Sequence, residues 1–130
     1  MLGTTVGEIK MSKKVLVIDD SPFVFKAVSK ALEGSEWEVI GNALDGQLGI
    51  DKYIETRADV ITLDVTMPVM DGLETARKLF EINPNVKVVM LSAMGDETLL
   101  NQAREIGVRY FLTKPFQPAT LQAKLAEVFS

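Results

Sequence analysis

An α/β fold built on an open, doubly wound parallel sheet is predicted by two features of the sequence. From residue 14 onward, short β-branched runs alternate with stretches of helical period, the βαβα rhythm from which such sheets are made. Five stretches of each kind fit between residues 14 and 130, which leaves only the short loops that doubly wound folds have.

The strand-like runs are 15–18, 37–40, 60–63, 86–91 and 110–112. After the first, Ser21 can cap a helix and Pro22 suits its first position. Phe23, Ala27, Val28, Ala31 and Leu32 then make one apolar face, and Gly34 stops the helix. The second helix follows Asp45-Gly46 and is the least marked of the five. In the third, Leu73, Ala76, Leu79 and Phe80 repeat the helical spacing before Asn83-Pro84. Leu99, Leu100, Ala103 and Ile106 form the fourth, which ends at Gly107, and Pro118 opens a fifth with Leu121, Leu125 and Val128 inward. Residues 1–13 carry Gly3, Thr4, Thr5 and Gly7 without a period. They read as a loose N-terminal tail before a domain at 14–130, with Met1 and Met11 both available as starts.

The chain has 130 residues, 47% apolar and 25% charged, the size and composition of a single domain. It contains no Cys and no His. That excludes Ser-His-Asp hydrolysis, cysteine nucleophiles, histidine phosphotransfer on this chain and the usual zinc sites. Fourteen basic against eighteen acidic residues give a net charge of -4, opposite in sign to the footprint of a nucleic-acid binder. The apolar runs are far shorter than the ~20 residues that span a bilayer, and residues 1–10 hold no apolar signal core. The expectation is a cytoplasmic protein that binds neither membrane nor nucleic acid directly.

Ligands of open α/β sheets bind outside the carboxyl ends of the strands, near the point where strand order reverses. The polar residues at those ends are few: Asp19 and Asp20 after the first strand, Asp64 ending the third, Ser92 ending the fourth and Lys114 after the fifth. Each alone also fits a helix cap, a turn or a solvated charge. Together they form a set. With Ser21 available as the cap, paired carboxylates at 19 and 20 add only repulsion, about 4 kcal/mol for two charges ~4 Å apart at an effective dielectric of ~20. Three carboxylates on one rim want a cation, and an oxygen-only ligand set suggests Mg²⁺. A hydroxyl and an ammonium opposite a metal-bound carboxylate would cage a dianionic group of three oxygens, as phosphoryl transfer requires. Asp64 is then the natural nucleophile.

Asp19-Asp20, Leu63-Asp64-Val65-Thr66-Met67-Pro68 with Asp71-Gly72, Leu91-Ser92-Ala93 and Lys114-Pro115-Phe116 together resemble the receiver domain of bacterial two-component response regulators. The resemblance covers residues 14–129. It implies a flavodoxin-like fold of five parallel strands in the order 2-1-3-4-5 with five helices. By the same resemblance, a sensor histidine kinase or phosphotransfer protein phosphorylates Asp64. Asp20, Asp64 and the Thr66 backbone carbonyl bind Mg²⁺, and Asp19 acts through water. Ser92 and Lys114 hold the phosphoryl oxygens, helped by the Thr66 and Ala93 amides, and Lys114-Pro115 is cis. The resemblance further implies that such a domain assists its own phosphoryl transfer and autodephosphorylation rather than acting as a turnover enzyme. Its output face would be the fourth helix, fifth strand and fifth helix, where Arg104, Arg109, Tyr110 and Gln122 are the exposed candidates. The output partner is not named by the sequence.

Some positions vary the pattern. The family's switch residue, which acts with Ser92, corresponds to Phe111, a phenyl ring where many members carry tyrosine. Thr66 and Met94 stand two residues beyond Asp64 and Ser92, where the resemblance has side chains overhang the phosphoryl group and set its lifetime. Neither matches the residue found in flagellar-motor regulators, which counts against a motor partner. With residue 130 ending the sequence, a stand-alone receiver is the leading expectation and a fragment of a longer regulator the second. A Mg²⁺-dependent phosphatase of the haloacid-dehalogenase type would also use a strand-end Asp, but it expects a second Asp where Thr66 stands. A flavodoxin-type carrier fails on charge, since Asp19-Asp20 would repel the flavin phosphate.

Overall fold

The structure is a computed structural model and describes residues 12–130; residues 1–11, most of the expected tail, lie outside the described residues. The elements are β1 (Lys13–Ile18), α1 (Pro22–Ala31), β2 (Trp37–Ala43), α2 (Gly46–Thr56), β3 (Val60–Asp64), α3 (Gly72–Ile82), β4 (Val88–Ser92), α4 (Glu97–Ile106), β5 (Tyr110–Thr113) and α5 (Pro118–Val128). The strands pair in parallel in the order β2-β1-β3-β4-β5, as expected. No helix among the described residues is long and apolar enough to cross a membrane.

Strands buried on both faces divide their side chains between two cores. Leu16 and Ile18, Ile61 and Leu63, and Val88 and Met90 meet α2, α3 and α4 through Ile50, Tyr53, Ala76, Leu79 and Ala103. Val15, Val17, Val60, Val89 and Leu91 meet α1 and α5 through Val28, Ala31, Leu121, Leu125 and Val128. Leu79, Leu121 and Leu125 are fully buried, each contributing about 1.5–3 kcal/mol of transfer free energy. This three-layer packing makes the sheet rigid, and its carboxyl rim inherits that rigidity.

Two expectations for α1 need correction. Phe23 is 78% exposed and Ala27 is exposed as well; the buried stripe is Val28, Ala31 and Leu32, flanked by Val24 and Phe25. The first turn of α1 stands at the rim beside Lys114 and Phe116, so it has little sheet to bury against. Ser21 precedes the helix but makes no side-chain cap bond. The Val24 amide donates to the Ser21 carbonyl at 3.2 Å instead, and the Ser21 amide donates to Asp19 Oδ1 at 2.9 Å. Side-chain caps do form elsewhere: Asp45 Oδ1 accepts from the Leu48 amide and Asp71 Oδ1 from the Glu74 amide, both at 2.9 Å, each satisfying an otherwise orphaned donor. At the strand ends the differences are small. β2 continues to Ala43, and β4 begins at Val88 because the Val86 amide donates to the Asn83 carbonyl in a turn.

The loop from β3 into α3 returns so tightly that the Gly72 amide donates to the Val65 carbonyl at 3.0 Å. A Cβ at position 72 would fall 2.2 Å from the Asp64 carbonyl oxygen and 2.6 Å from Val65 Cα. Only glycine fits there. Gly72→Ala is therefore expected to lower unfolding free energy by about 1–3 kcal/mol, the ordinary cost of overpacking. Gly41→Ala should be tolerated, since its Cβ would meet Leu16 Cδ1 at an ordinary 3.5 Å. Urea titrations of both variants check this, and equal midpoints would contradict the close-approach reading.

Candidate functional site

Register alone aligns the candidate residues along one rim. Ile18 pairs with Leu63, Asp64 with Leu91, and Ser92 with Thr113, so Asp19, Asp64, Ser92 and Lys114 stand at neighbouring strand ends. The chain passes from β1 to β2 on one side and then to β3 on the other, so strand order reverses between β1 and β3. Asp19 and Asp64 flank that reversal. Backbone bonds tie the row together: the Val65 amide donates to the Leu91 carbonyl at 3.1 Å, and the Lys114 amide to the Ser92 carbonyl at 2.7 Å. The Lys114–Pro115 peptide is cis.

Three carboxylates and one ammonium form the centre. Lys114 Nζ lies 3.3 Å from Asp64 Oδ1 and 3.5 Å from Asp19 Oδ2. Asp19 is fully buried and Asp64 nearly so, while Asp20 is exposed. Burial is the largest influence on Asp19 and pushes its carboxyl above the usual carboxylate range, against the Ser21 amide and the Lys114 ammonium, which pull it down. Asp64 is also pushed up, first by burial and then by the Asp19 charge, against Lys114 and the Thr66 amide. Burial would lower Lys114, but Asp19 and Asp64 together outweigh it and hold the ammonium above its ordinary value. The rim thus holds two buried carboxylates whose ionised forms are costly and one cation held between them.

These residues fit a divalent cation. Asp19, Asp20 and Asp64 each offer a carboxylate oxygen, and those oxygens lie within 4.8 Å of one another. The donor set is all oxygen, as a hard cation prefers. Ser92 is buried at the end of β4. Thr66 is exposed, and its amide lies 3.4 Å from Asp64 Oδ1. Met94 is 87% exposed.

The surroundings of the rim depart in part from the expected set. The Ala93 amide, expected to serve a phosphoryl oxygen, donates to Asp96 Oδ2 at 2.8 Å. Val69, a β-branched residue 83% exposed, has φ 69°, and the Met70 amide closes over it onto the Pro68 carbonyl at 2.7 Å. Such a turn costs about 1–3 kcal/mol and bends the chain so that Gly72 can reach back beneath Asp64. Asp71-Gly72 was the available signal for that bend. Phe111 does not touch the carboxylates; it is half-buried against the α2, α3 and α4 core. On the expected output face, Arg104 and Arg109 are exposed and Tyr110 is half-buried. Gln122 is exposed but bound, its Nε2 donating to the Ala31 carbonyl at the end of α1.

Comparison with known proteins agrees with this arrangement. Residues 15–126 match the response regulator receiver domain. The chemotaxis protein CheY of Thermotoga maritima is 35% identical over 118 residues, covering 91% of this chain and 98% of that protein. CheY of Treponema pallidum is 38% identical over 117 residues, covering 88% of this chain and 81% of that protein. A chain in the crystal structure of the CheX–CheY–BeF3–Mg²⁺ complex from Borrelia burgdorferi superposes with a TM-score of 0.85 at 32% identity, over 91% of this chain and 90% of that one. The phosphatase alternative falls with this match. The chain belongs to the response regulator receiver domain family.

Proposed function

We propose that this receiver is switched by a phosphoryl group accepted on Asp64, and that Lys114 and Ser92 carry the change to the α4, β5 and α5 face. The observation that supports it most is the buried Asp64 carboxylate 3.3 Å from Lys114 Nζ, beside two further carboxylates that fit a cation. Mg²⁺ on Asp20, Asp64 and the Thr66 carbonyl, with Asp19 through water, would offset repulsion between the carboxylate and an incoming phosphate. An Asp64 oxygen attacks phosphorus of the donor's phosphohistidine, a P–O bond forms, the P–N bond breaks and the imidazole leaves. Water later cleaves the acyl phosphate and returns Asp64 to a carboxylate. The chain assists both steps on itself, so the modified protein is the product rather than an enzyme turned over.

Once Asp64 carries phosphate, Lys114 exchanges its carboxylate contacts for a phosphoryl oxygen, and the Ser92 hydroxyl and Thr66 amide serve others. The Ala93 amide joins them by releasing Asp96. Thr66 and Met94, both exposed beside the rim, govern how water reaches the acyl phosphate. The donor is a sensor histidine kinase or phosphotransfer protein acting in the cytoplasm. An apolar cleft of about 340 Å³, lined by Phe23, Val24, Ala27, Pro115 and Phe116 with Lys114 at its edge, gives such a donor a surface next to the acceptor. The Borrelia complex joins a CheY to CheX in the presence of BeF3 and Mg²⁺, and a protein partner of the activated form is expected here as well. Phe111 changes its packing during the switch, having no hydroxyl to bond.

Incubation with Mg²⁺ and a small phosphodonor such as acetyl phosphate should add one phosphate, read by intact mass and mapped to Asp64. Addition that persists in Asp64→Ala, or without metal, overturns the reading. Lys114→Ala should still accept phosphate but lose most of the gain in partner affinity, which for coupled sites is about 5- to 150-fold. An undiminished gain would mean that Lys114 only balances the buried carboxylates and does not carry the signal.

Asp19→Asn keeps an oxygen for the Ser21 amide while removing a buried charge. In metal-free buffer at neutral pH it should raise unfolding free energy by about 0.5–2 kcal/mol and weaken the response to Mg²⁺. Because the folded-state pKa of Asp19 is raised, the folded wild type binds more protons than the unfolded chain between the ordinary carboxylate range and that raised value. This residue's contribution to stability therefore falls as pH rises through that window. The variant's advantage should accordingly shrink as pH is lowered through that window and the wild-type group takes up its proton. An advantage independent of pH would contradict the charge explanation.

A further inference from the structure

Phe111 is a switch position without a polar handle, and the structure supplies one from α4. The Arg104 guanidinium lies over the Phe111 ring, 4.8 Å from its centroid. The ring's other contacts are with the apolar core on the α2, α3 and α4 side, so the aromatic side chain is held between that core and a cation. Arg104 is itself fixed, with Nη1 donating to Asn101 Oδ1 at 2.7 Å one turn earlier in α4. Among the described residues no carboxylate lies within ion-pair distance of it. Its place in the last turn of α4 favours a positive charge there, but the helix dipole does not account for a guanidinium seated on a ring of the neighbouring strand.

That ring belongs to the strand that ends at the site. Phe111 pairs with Met90, Thr113 with Ser92, and the Lys114 amide donates to the Ser92 carbonyl. A pull on Lys114 therefore acts on the strand segment that carries Phe111. We propose that Arg104 is a positioning residue: stacked on Phe111, it holds the ring in its resting rotamer and sets how readily β5 yields when Asp64 is modified. The second part rests on Asp64 as phosphoacceptor and Phe111 as the switch. The contact joins α4 to β5 across the expected output face, so a partner docking there would meet Arg104 directly.

An exposed cation–π contact of this kind shifts an equilibrium by about two- to five-fold. In the full chain with ¹³C-labelled phenylalanine, Phe111 signals identified through Phe111→Leu, Arg104→Ala should move and broaden the Phe111 ring resonances of the free protein. It should also lower the beryllofluoride concentration for half-saturation in Mg²⁺ by about two- to five-fold, because the activated arrangement no longer breaks the contact. In the Phe111→Leu background the same substitution should change nothing. Unmoved ring resonances with unchanged half-saturation overturn the proposal, and so does an Arg104→Ala effect that persists without the ring. A wild type that ignores beryllofluoride would overturn the phosphoacceptor reading and the coupling to it, while the ring resonances of the free protein would still decide whether Arg104 holds Phe111.

Discussion

The Lys114 ammonium, set between the Asp19 and Asp64 carboxylates at 3.5 and 3.3 Å, is the interaction on which the site depends. Two buried carboxylates side by side repel strongly, and burial alone makes each costly to ionise. Lys114 offsets this without cancelling it, since both acids remain above their ordinary range. The rim is therefore electrostatically unfinished. A cation on the carboxylates, or the proposed phosphoryl group on Asp64, would change the balance that keeps Lys114 where it is. Because the Lys114 amide is bonded to the Ser92 carbonyl, the proposed shift in that balance would bear on both β4 and β5.

The rest of the fold holds that charge cluster in place. Strands buried on both faces fix the rim, and the order β2-β1-β3-β4-β5 puts the Asp19 and Asp64 strand ends next to each other where the order reverses. Behind Asp64, the left-handed turn at Val69 stores strain, and the close approach of Gly72 leaves no room for a larger residue. On the α4 and β5 side two polar contacts stand at the surface: a guanidinium on a ring, and a carboxylate on the Ala93 amide. Contacts of this kind can be exchanged without unpacking either core, which suits the proposed switch as one that shifts an existing equilibrium, with coupling of about 1–3 kcal/mol.

The strands were legible because short, β-branched apolar runs such as Val15 to Ile18 and Val88 to Leu91 suit a sheet covered on both sides, and their brevity sets them apart from helices. The rim residues were legible because they follow those strands directly. Phe23 was assigned to the wrong face because positions 23 and 27 satisfy the helical period as well as 24, 28 and 31 do. Only the end of the sheet at the rim distinguishes the two. Ser21 was misread as a side-chain cap because residue type permits the bond, whereas the Val24 amide that such a cap would take donates to the Ser21 carbonyl. The contacts of Ala93 with Asp96 and of Arg104 with Phe111 depend on loop path and rotamer. Neither residue spacing nor propensity encodes them in a form that can be read without coordinates.

The most direct test of coupling through Lys114 is a map of amide chemical-shift changes on adding Mg²⁺ and beryllofluoride to the full chain. If the charge balance at the rim drives β4 and β5 together, changes should begin at residues 19–20, 64–66, 92–93 and 114 and continue through 97–112. Changes confined to the neighbourhood of Asp64, with residues 97–112 silent, would contradict it.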